Sequence, residues 1–184
     1  MNRKTVPERS TGYQAQDLAR LRGDFDRSFQ SAPVQAPSLE DFLLLHVGGA
    51  PLAVRMSEVG GIYADRPVTP LPGSPPYLTG VAGFRGSVLP VYDLGVLLGY
   101  PAPEAPYRWL LVVRRKEPLG VAFDRFERHL RLETGRTAPA GDGGDRRHVR
   151  EILSVGEDRI PLVSLPAVAE EADRRGARRL EPQR

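Results

Sequence analysis

The sequence contains no cysteine and no long apolar run, and both absences narrow what the chain can be. Without cysteine there is no disulfide, no thiolate nucleophile and no cysteine metal site, which fits a reducing compartment. Apolar runs such as FLLLHV fall far short of the roughly 20 residues of a membrane span. The N-terminus, MNRKTVPERS, has no apolar stretch behind its charges, so no secretory signal is expected. We therefore predict a cytoplasmic protein without direct membrane insertion.

Histidine is also scarce, and the polar residues that catalysis needs are not grouped. The three histidines are His46, His129 and His148, and the last two are flanked by arginines with no carboxylate to orient them. No serine lies in a GxSxG pattern, and no cluster of three or four ligands predicts a metal site. Asp93 and Asp124 follow apolar strands, but a helix cap explains Asp93 more simply than an acid–base pair does. The sequence predicts no catalytic residue, no metal and no enzyme activity.

Patterns for binding phosphate or nucleic acid are weak. Gly80, Gly83 and Gly86 do not form GxGxxG, and strand-like sequence surrounds them, so no dinucleotide cofactor is expected. The tetrapeptide GFRG matches the GXXG loop of a nucleic-acid-binding module, but that loop joins two helices. The arginine-rich segment 108–131 leaves an acidic partner or nucleic acid as an alternative to a solvated strand face. With a net charge of only +3, we expect no nucleic-acid partner.

The hydrophobic pattern divides the chain into three parts. Residues 1–37 are polar and form an N-terminal extension, in which a short amphipathic helix is predicted. The apolar residues at helical spacing are Leu18, Leu21, Phe25 and Phe29. This helix either packs on the body or binds a partner, and the sequence leaves both open. Residues 38–172 carry the folded domain, and residues 173–184 form a charged C-terminal tail.

Short strand-like runs predict that the folded domain is all-β. Residues 42–47 and 51–56 form a hairpin across Gly48-Gly49. The stretch SEVGGIY that follows is predicted to hold one helical turn capped by Ser57. Residues 134–147 contain no large apolar side chain, so we expect a flexible loop there.

A weak internal sequence repeat, called the internal echo below, indicates two similar halves. The stretches LPVYDLGV (89–96) and IPLVSLPAV (160–168) each run from a proline-containing strand into a helix, with an oxygen-bearing side chain as its cap. Proline within a strand is typical of an edge or a bulge. The echo therefore predicts two β halves, each closed by a short helix.

Residues 67–99 are the most informative segment. A proline-rich loop leads into a strand from Tyr77 to Ala82, and a second strand from Ser87 to Tyr92 follows the turn GFRG. Glycine permits the backbone angles of tight hairpin turns and leaves the arginine of this turn unobstructed. Arginine is enriched in the residues that dominate protein interfaces. The alternative is a local salt bridge, but the pattern favours a recognition surface.

These motifs together resemble the CheW-like family of adaptors, which couple chemoreceptors to the histidine kinase CheA. The matching stretches follow one another in the family's order: FLLLHVGG, EVGGI, VTPLPGSPPYLTGV and GFRGSVLPVYDLGVLLG. LGVAFDRF and RIPLVSLPAV extend the resemblance over about residues 40–170. It implies an all-β fold of two intertwined five-stranded β-barrel subdomains with short helices. It also implies a chemotaxis-type signal transduction scaffold with no enzyme activity and no cofactor.

The resemblance also implies partners and a site. The partners would be a chemoreceptor's signalling tip, a methyl-accepting protein, and the regulatory domain of a CheA-type kinase of a two-component system, within receptor clusters. The receptor-facing residues would be Val59, Gly80, Gly83, Phe84, Arg85 and Leu89. Val59 would give an apolar contact to a receptor helix and Arg85 a polar anchor.

Several positions depart from the family's pattern. Gly83 and Phe84 stand where relatives carry asparagine and leucine, and Gly61 stands where many carry glutamate. The loop 134–147 lacks the large apolar residue that packs neighbouring barrels in array-forming members. These departures indicate an adaptor of an alternative motility pathway, such as gliding or pilus motility. The alternative is a divergent relative that does not bind kinase and acts as an input connector or inhibitor.

Overall fold

The computed structural model describes residues 38–103, 105–140 and 148–180, which form eleven strands, two α-helices and one 3-10 turn. The predicted N-terminal extension lies outside the described residues. The strands are β1 (Leu39–Val47), β2 (Ala50–Arg55), β3 (Val59–Ala64), β4 (Leu78–Phe84), β5 (Ser87–Asp93), β6 (Trp109–Val113), β7 (Gly120–Phe123), β8 (Arg125–Glu133), β9 (Thr137–Pro139), β10 (Val149–Val155) and β11 (Asp158–Val163). The helices are α1 (Leu94–Leu97) and α2 (Leu165–Leu180), and the 3-10 turn is Met56–Glu58.

The strands form two sheets, which confirms the all-β prediction. The first sheet has six strands in the order β8, β1, β2, β11, β10, β9, and the second has five in the order β3, β6, β7, β5, β4. The chain begins in the first sheet, builds the whole second sheet and then returns, so the two halves are intertwined. The sixth strand of the first sheet is the three-residue β9, which lies inside the loop predicted at 134–147.

The largest core cluster joins the two sheets and both helices. Leu45 of the first sheet and Leu111 of the second are both fully buried in it, together with Leu94 of α1 and Leu165 of α2. Leucine burial of this kind contributes roughly 1.5–3 kcal/mol for each side chain. The helices therefore hold the two sheets together through a shared apolar core.

The internal echo corresponds to two equivalent strand-to-helix junctions. Asp93 Oδ1 accepts a hydrogen bond from the Val96 amide at 2.9 Å, which confirms Asp93 as the cap of α1. Ser164 Oγ accepts one from the Ala167 amide at 3.4 Å at the start of α2. The strand before each helix also makes a parallel pair, β5 with β7 and β11 with β2. The two halves thus share a structural motif, a strand with one parallel neighbour that leads into a capped helix, as well as a sequence pattern.

The two prolines of the echo lie where their strands have one partner. Pro90 pairs with Val81 of β4, and the parallel pairing with β7 begins one residue later. Pro161 pairs with Ile152 of β10, and the pairing with β2 likewise begins at the next residue. Because proline has no amide hydrogen, it fits at such a position within an internal strand.

Two local predictions were wrong in part. A helical turn is present at Met56–Glu58, but Ser57 lies inside it instead of capping it, and the residues from Val59 onward form β3. The β4–β5 turn is two residues long, because Phe84 still pairs with Ser87 in the ladder. At the hairpin, strand pairing outweighs the turn preference of Gly83.

Candidate docking site at the β4–β5 hairpin

The tip of the β4–β5 hairpin is a two-residue turn made by Arg85 and Gly86. Their φ angles are 46° and 81°, so both central residues are in the left-handed region that a type I′ turn requires. Glycine adopts this region freely, but for other residues it costs roughly 1–2 kcal/mol. Asp65 and Arg85 are the two non-glycine residues with positive φ in the described part of the chain. The arginine at the tip is thus held in a costly backbone conformation.

Aromatic rings support the arginine from the side. The Arg85 guanidinium carbon lies 5.1 Å from the centre of the Phe84 ring, within the range of a cation–π contact. Phe84 in turn meets Tyr63 of β3 edge to face, with the ring centres 5.6 Å apart. The guanidinium of Arg66 lies 5.7 Å from the Tyr63 ring on the other side. The order is cation, ring, ring, cation, and we call Arg85, Phe84, Tyr63 and Arg66 the stacked set.

The side chain of Arg66 also donates hydrogen bonds to the backbone of the hairpin. Its Nε donates to the Gly83 carbonyl oxygen at 3.0 Å, and its Nη2 donates to the same oxygen. A Cβ added at Gly83 would meet no atom within 4 Å, and its φ is not positive. Glycine is therefore not needed for the local backbone, and its absent side chain leaves the surface beside Arg85 open.

Gly80 has a structural reason to be glycine. Its φ is 152°, and a Cβ there would lie 2.2 Å from the carbonyl oxygen of Thr69. That close approach lets Thr69 exchange two backbone hydrogen bonds with Val81, at 2.8 and 2.9 Å. The proline-rich loop is thereby added to the outer edge of β4. Gly80 positions the hairpin by allowing this contact.

Val59 and Leu89 lie inside the molecule instead of on its surface. Each side chain is 3% exposed, Val59 in the core shared by the sheets and Leu89 in a cluster within the second sheet. The exposed apolar residue of the hairpin is Val88, which is 73% exposed and pairs with Gly83. The sequence carried a signal for this residue: two consecutive apolar residues in a strand point to opposite faces, so Val88 and Leu89 cannot both be buried on one face.

The two aspartates considered as an acid–base pair have different hydrogen-bond partners. Burial raises the pKa of Asp93, whose Oδ1 accepts from the Tyr107 hydroxyl at 2.8 Å and caps α1. Asp124 is engaged separately, accepting a hydrogen bond from the Gly49 amide at 3.4 Å. Among the described residues, no group of three or more histidine, aspartate or glutamate side chains is placed to hold a metal ion.

The histidines have carboxylate neighbours that the sequence did not reveal. His129 Nε2 lies 2.8 Å from Asp41 Oδ1, so the expectation that no carboxylate orients His129 was wrong. Hydrogen bonds from Arg131 lower the pKa of Asp41, and His129 adds to this. His46 Nε2 lies 2.6 Å from Glu127 Oε2. The pairs cross between β1 and β8 over more than 80 positions of sequence, so only the strand pairing could have predicted them.

A second exposed apolar area lies on the first sheet. Leu39 and Met56 are 54% and 40% exposed, and both line a depression of about 390 Å³. Arg55 and Arg114 line it as well. Arg55 is held by Glu151 at 2.8 Å, and Arg114 donates to the Val59 carbonyl oxygen at 3.0 and 2.8 Å. Glu40 and Asp41 line the same depression, so it combines an exposed apolar pair with charges of both signs.

No helix of the described residues is long and apolar enough to cross a membrane.

Comparisons with known proteins agree on one family. The family model described as CheW-like domain matches residues 41–176. The chemotaxis protein CheW of Rhizobium meliloti (strain 1021) is 28% identical over 142 residues, which cover 74% of this chain and 92% of that relative. Protein FrzA of Myxococcus xanthus is 40% identical over 60 residues, 33% of this chain and 38% of FrzA.

The fold is similar to that of a solved structure as well. The crystal structure of scaffolding protein TtCheW from Thermoanaerobacter tengcongensis aligns with a TM-score of 0.63. The alignment covers 70% of this chain and 90% of that chain at 16% sequence identity. At this level of identity the likeness is one of fold.

Proposed function

The chain belongs to the CheW-like domain family of chemotaxis adaptors, and from that premise we propose that it joins a chemoreceptor's signalling tip to a CheA-type histidine kinase. Its mechanism is simultaneous binding. Holding both partners raises their effective concentration and lets the state of the receptor bias the state of the kinase. Such a protein needs two separate exposed surfaces and no reactive centre.

The receptor would bind at the β4–β5 hairpin. The observation that carries this proposal is Arg85, held with a positive φ at the tip and stacked on Phe84. Its guanidinium is available to pair with a carboxylate on a receptor helix. Val88 and the open surface at Gly83 would accept the apolar side of the same helix.

The other residues that the resemblance assigns to the receptor site would support its surface without contacting the receptor. Gly80 admits the proline-rich loop against β4, and Leu89 fills the interior behind the hairpin. Val59 is buried, while its carbonyl oxygen holds Arg114. We propose that these three shape the surface, and that Gly83, Phe84 and Arg85 touch the receptor.

The kinase would bind at the Leu39–Met56 surface. These two residues belong to the first sheet and to the 3-10 turn after it, whereas the hairpin belongs to the second sheet. Placing the partners on different halves of the molecule leaves each surface accessible when the other is occupied. What supports this proposal is that exposed apolar side chains lie beside arginines within a charged rim, since interfaces favour arginine and have polar rims.

The receptor site is tested by Arg85→Glu in a pull-down with the receptor's cytoplasmic tip. The substitution reverses the charge, so we expect at least a tenfold loss of binding, about 1.4 kcal/mol. The thermal melt should stay within a few degrees, because the side chain lies outside the core. Arg128→Glu, at an exposed position on β8, is the matched control and should bind like the parent. Full binding by the Arg85 variant would show that the hairpin is not the receptor site.

The kinase site is tested by titrating the protein and Met56→Asp against the kinase's regulatory domain. We expect micromolar binding by the parent and a loss of at least tenfold in the variant, because the interface loses an apolar contact and must desolvate a carboxylate instead. Equal binding by both proteins would move the kinase site elsewhere. No binding by the parent would instead support a divergent connector or inhibitor that does not engage kinase.

A further inference from the structure

A cavity of about 670 Å³ lies beside the second sheet and shares Arg66 with the β4–β5 hairpin. It opens between the segment 66–70 and the segment 105–108, with Asp93 and Ala122 on its inner wall. Its volume is within the 300–1,000 Å³ typical of sites for small molecules. The prolines in its lining are Pro67, Pro70, Pro76, Pro103 and Pro106. Proline fixes its own φ, so these walls are largely preformed and cost little to order on binding.

The body of the cavity is apolar and partly aromatic. Leu110 and Ala122, both buried, form its inner surface, and Val68 lies nearer the opening. Trp109 also belongs to the lining, and its ring stacks on Phe123 of the core between the sheets, with ring centres 6.4 Å apart. A flat apolar group fits such a lining better than a strongly hydrated one.

The inner polar groups of the cavity accept hydrogen bonds. Asp93, 3% exposed, accepts at Oδ1 from the Val96 amide and from the Tyr107 hydroxyl. Because the Tyr107 proton is committed to Asp93, its oxygen is left with accepting capacity only. A buried carboxylate and a phenolic oxygen therefore favour a ligand that brings a hydrogen-bond donor to this end.

The outer rim of the cavity is cationic. Arg66 and Arg108 are exposed and line the opening. The bonds described for Arg66 use Nε and Nη2, and those for Arg108 use Nε toward Asp65 at 3.3 Å. A guanidinium carries five N–H donors, so both side chains have further donors to direct at an anion. Arg108 is also placed by the Trp109 ring, 5.9 Å from its guanidinium carbon.

We propose that this cavity binds a small hydroxyaryl carboxylic acid, with its hydroxyl toward Asp93 and Tyr107 and its carboxylate toward Arg66 and Arg108. An acceptor-only inner end, an apolar middle and a cationic rim are complementary to a donor, a ring and an anion in that order. The proposal does not depend on the adaptor role, because binding of the ligand is measured on the protein alone.

Three matched probes test the proposal by calorimetry on the full chain. They are 3-(4-hydroxyphenyl)propionate, 3-phenylpropionate without the donor, and 3-(4-hydroxyphenyl)propionamide without the charge. We expect the first to bind at least fivefold more tightly than each of the others. The fluorescence of Trp109, the one tryptophan of the sequence, should change with the same midpoint. Equal affinities for the three probes, or no heat and no fluorescence change with any of them, would overturn the proposal.

Two variants test the two ends of the cavity separately. Arg108→Gln should weaken the acids at least fivefold and leave the amide unchanged, while Arg128→Gln, far along the other sheet, should change neither. Asp93→Asn keeps an oxygen that caps α1, since asparagine is as good a cap as aspartate, but presents a donor as well. It should remove the preference for the hydroxylated acid. Unchanged affinity in Arg108→Gln, or an unchanged preference in a well-folded Asp93→Asn, would contradict the assignment.

Discussion

The molecule contains two hairpin turns with the same backbone and different first residues. In the β1–β2 turn, Gly48 and Gly49 have φ angles of 58° and 77°. In the β4–β5 turn, Arg85 and Gly86 have φ angles of 46° and 81°. Both turns are two residues long, and in both the flanking strands are paired up to the turn.

The difference between the turns shows what determines each residue. A Cβ at Gly48 would lie 2.4 Å from Cδ1 of Tyr100, so packing and φ both require glycine there. Arg85 has the backbone of a glycine but carries a long side chain, at a cost of roughly 1–2 kcal/mol. The first turn is explained by the fold alone. In the second turn the backbone would favour glycine, yet the residue is arginine. A strained residue kept against the backbone preference is what a binding role predicts.

Breaking the first turn should have the largest effect on stability. Gly48→Ala places an alanine in the left-handed backbone region and makes its Cβ overlap with the Tyr100 ring. We therefore expect it to lower the free energy of unfolding by about 2–4 kcal/mol. Gly49→Ala is the matched control, because a Cβ there meets nothing within 4 Å and only the φ cost of about 1–2 kcal/mol remains. Urea unfolding measures both. Equal losses in the two variants would mean that Tyr100 does not determine the residue at position 48.

Replacing the arginine of the second turn should have the opposite sign. Arg85→Gly relieves the left-handed conformation, and we expect a gain of about 0.5–1 kcal/mol in the free energy of unfolding. Binding to the receptor tip should fall at least tenfold in the same variant. A loss of stability would mean that the contact with Phe84 outweighs the backbone strain, and the contrast between the turns would disappear.

Loosening the support of the second turn should have the smallest effect on stability. Arg66→Gln removes two hydrogen bonds to an exposed carbonyl and one ring contact, so we expect a loss of about 0.5 kcal/mol. Receptor binding should weaken several-fold, because the hairpin is held less firmly while Arg85 is intact. A variant with unchanged receptor binding would show that the stacked set does not position the tip. Arg128→Gln again controls for the loss of one exposed arginine.

Much of the fold was predictable because its information is local. Short apolar runs and the glycine pair predicted the β1–β2 hairpin, and the proline and capping residue of the internal echo predicted both strand-to-helix junctions. Sequence order of the motifs then indicated the family. The strand β9 was missed because its three residues carry no hydrophobic pattern and depend on pairing with β10.

The candidate site was predictable in part. Gly83, Phe84 and Arg85 are recognisable from the turn: Arg85 lies at the tip, and Gly83 and Phe84 are the last two residues of β4. The hydrogen bond from Arg66 to Gly83 joins the segment after β3 to β4 across 17 positions, so it depends on the tertiary structure and not on the local sequence. The burial of Val59 likewise follows from the second sheet meeting the first, which no short window of sequence contains.

Gly83 offers a practical consequence. The chain has no cysteine, so Gly83→Cys would introduce its sole thiol, at a position with ordinary backbone angles and free space around the new side chain. A maleimide dye or a spin label attached there would sit two residues from the arginine at the tip. A crosslinker on the same sulfur would capture whichever protein touches the hairpin in living cells, with no background from other thiols of this chain.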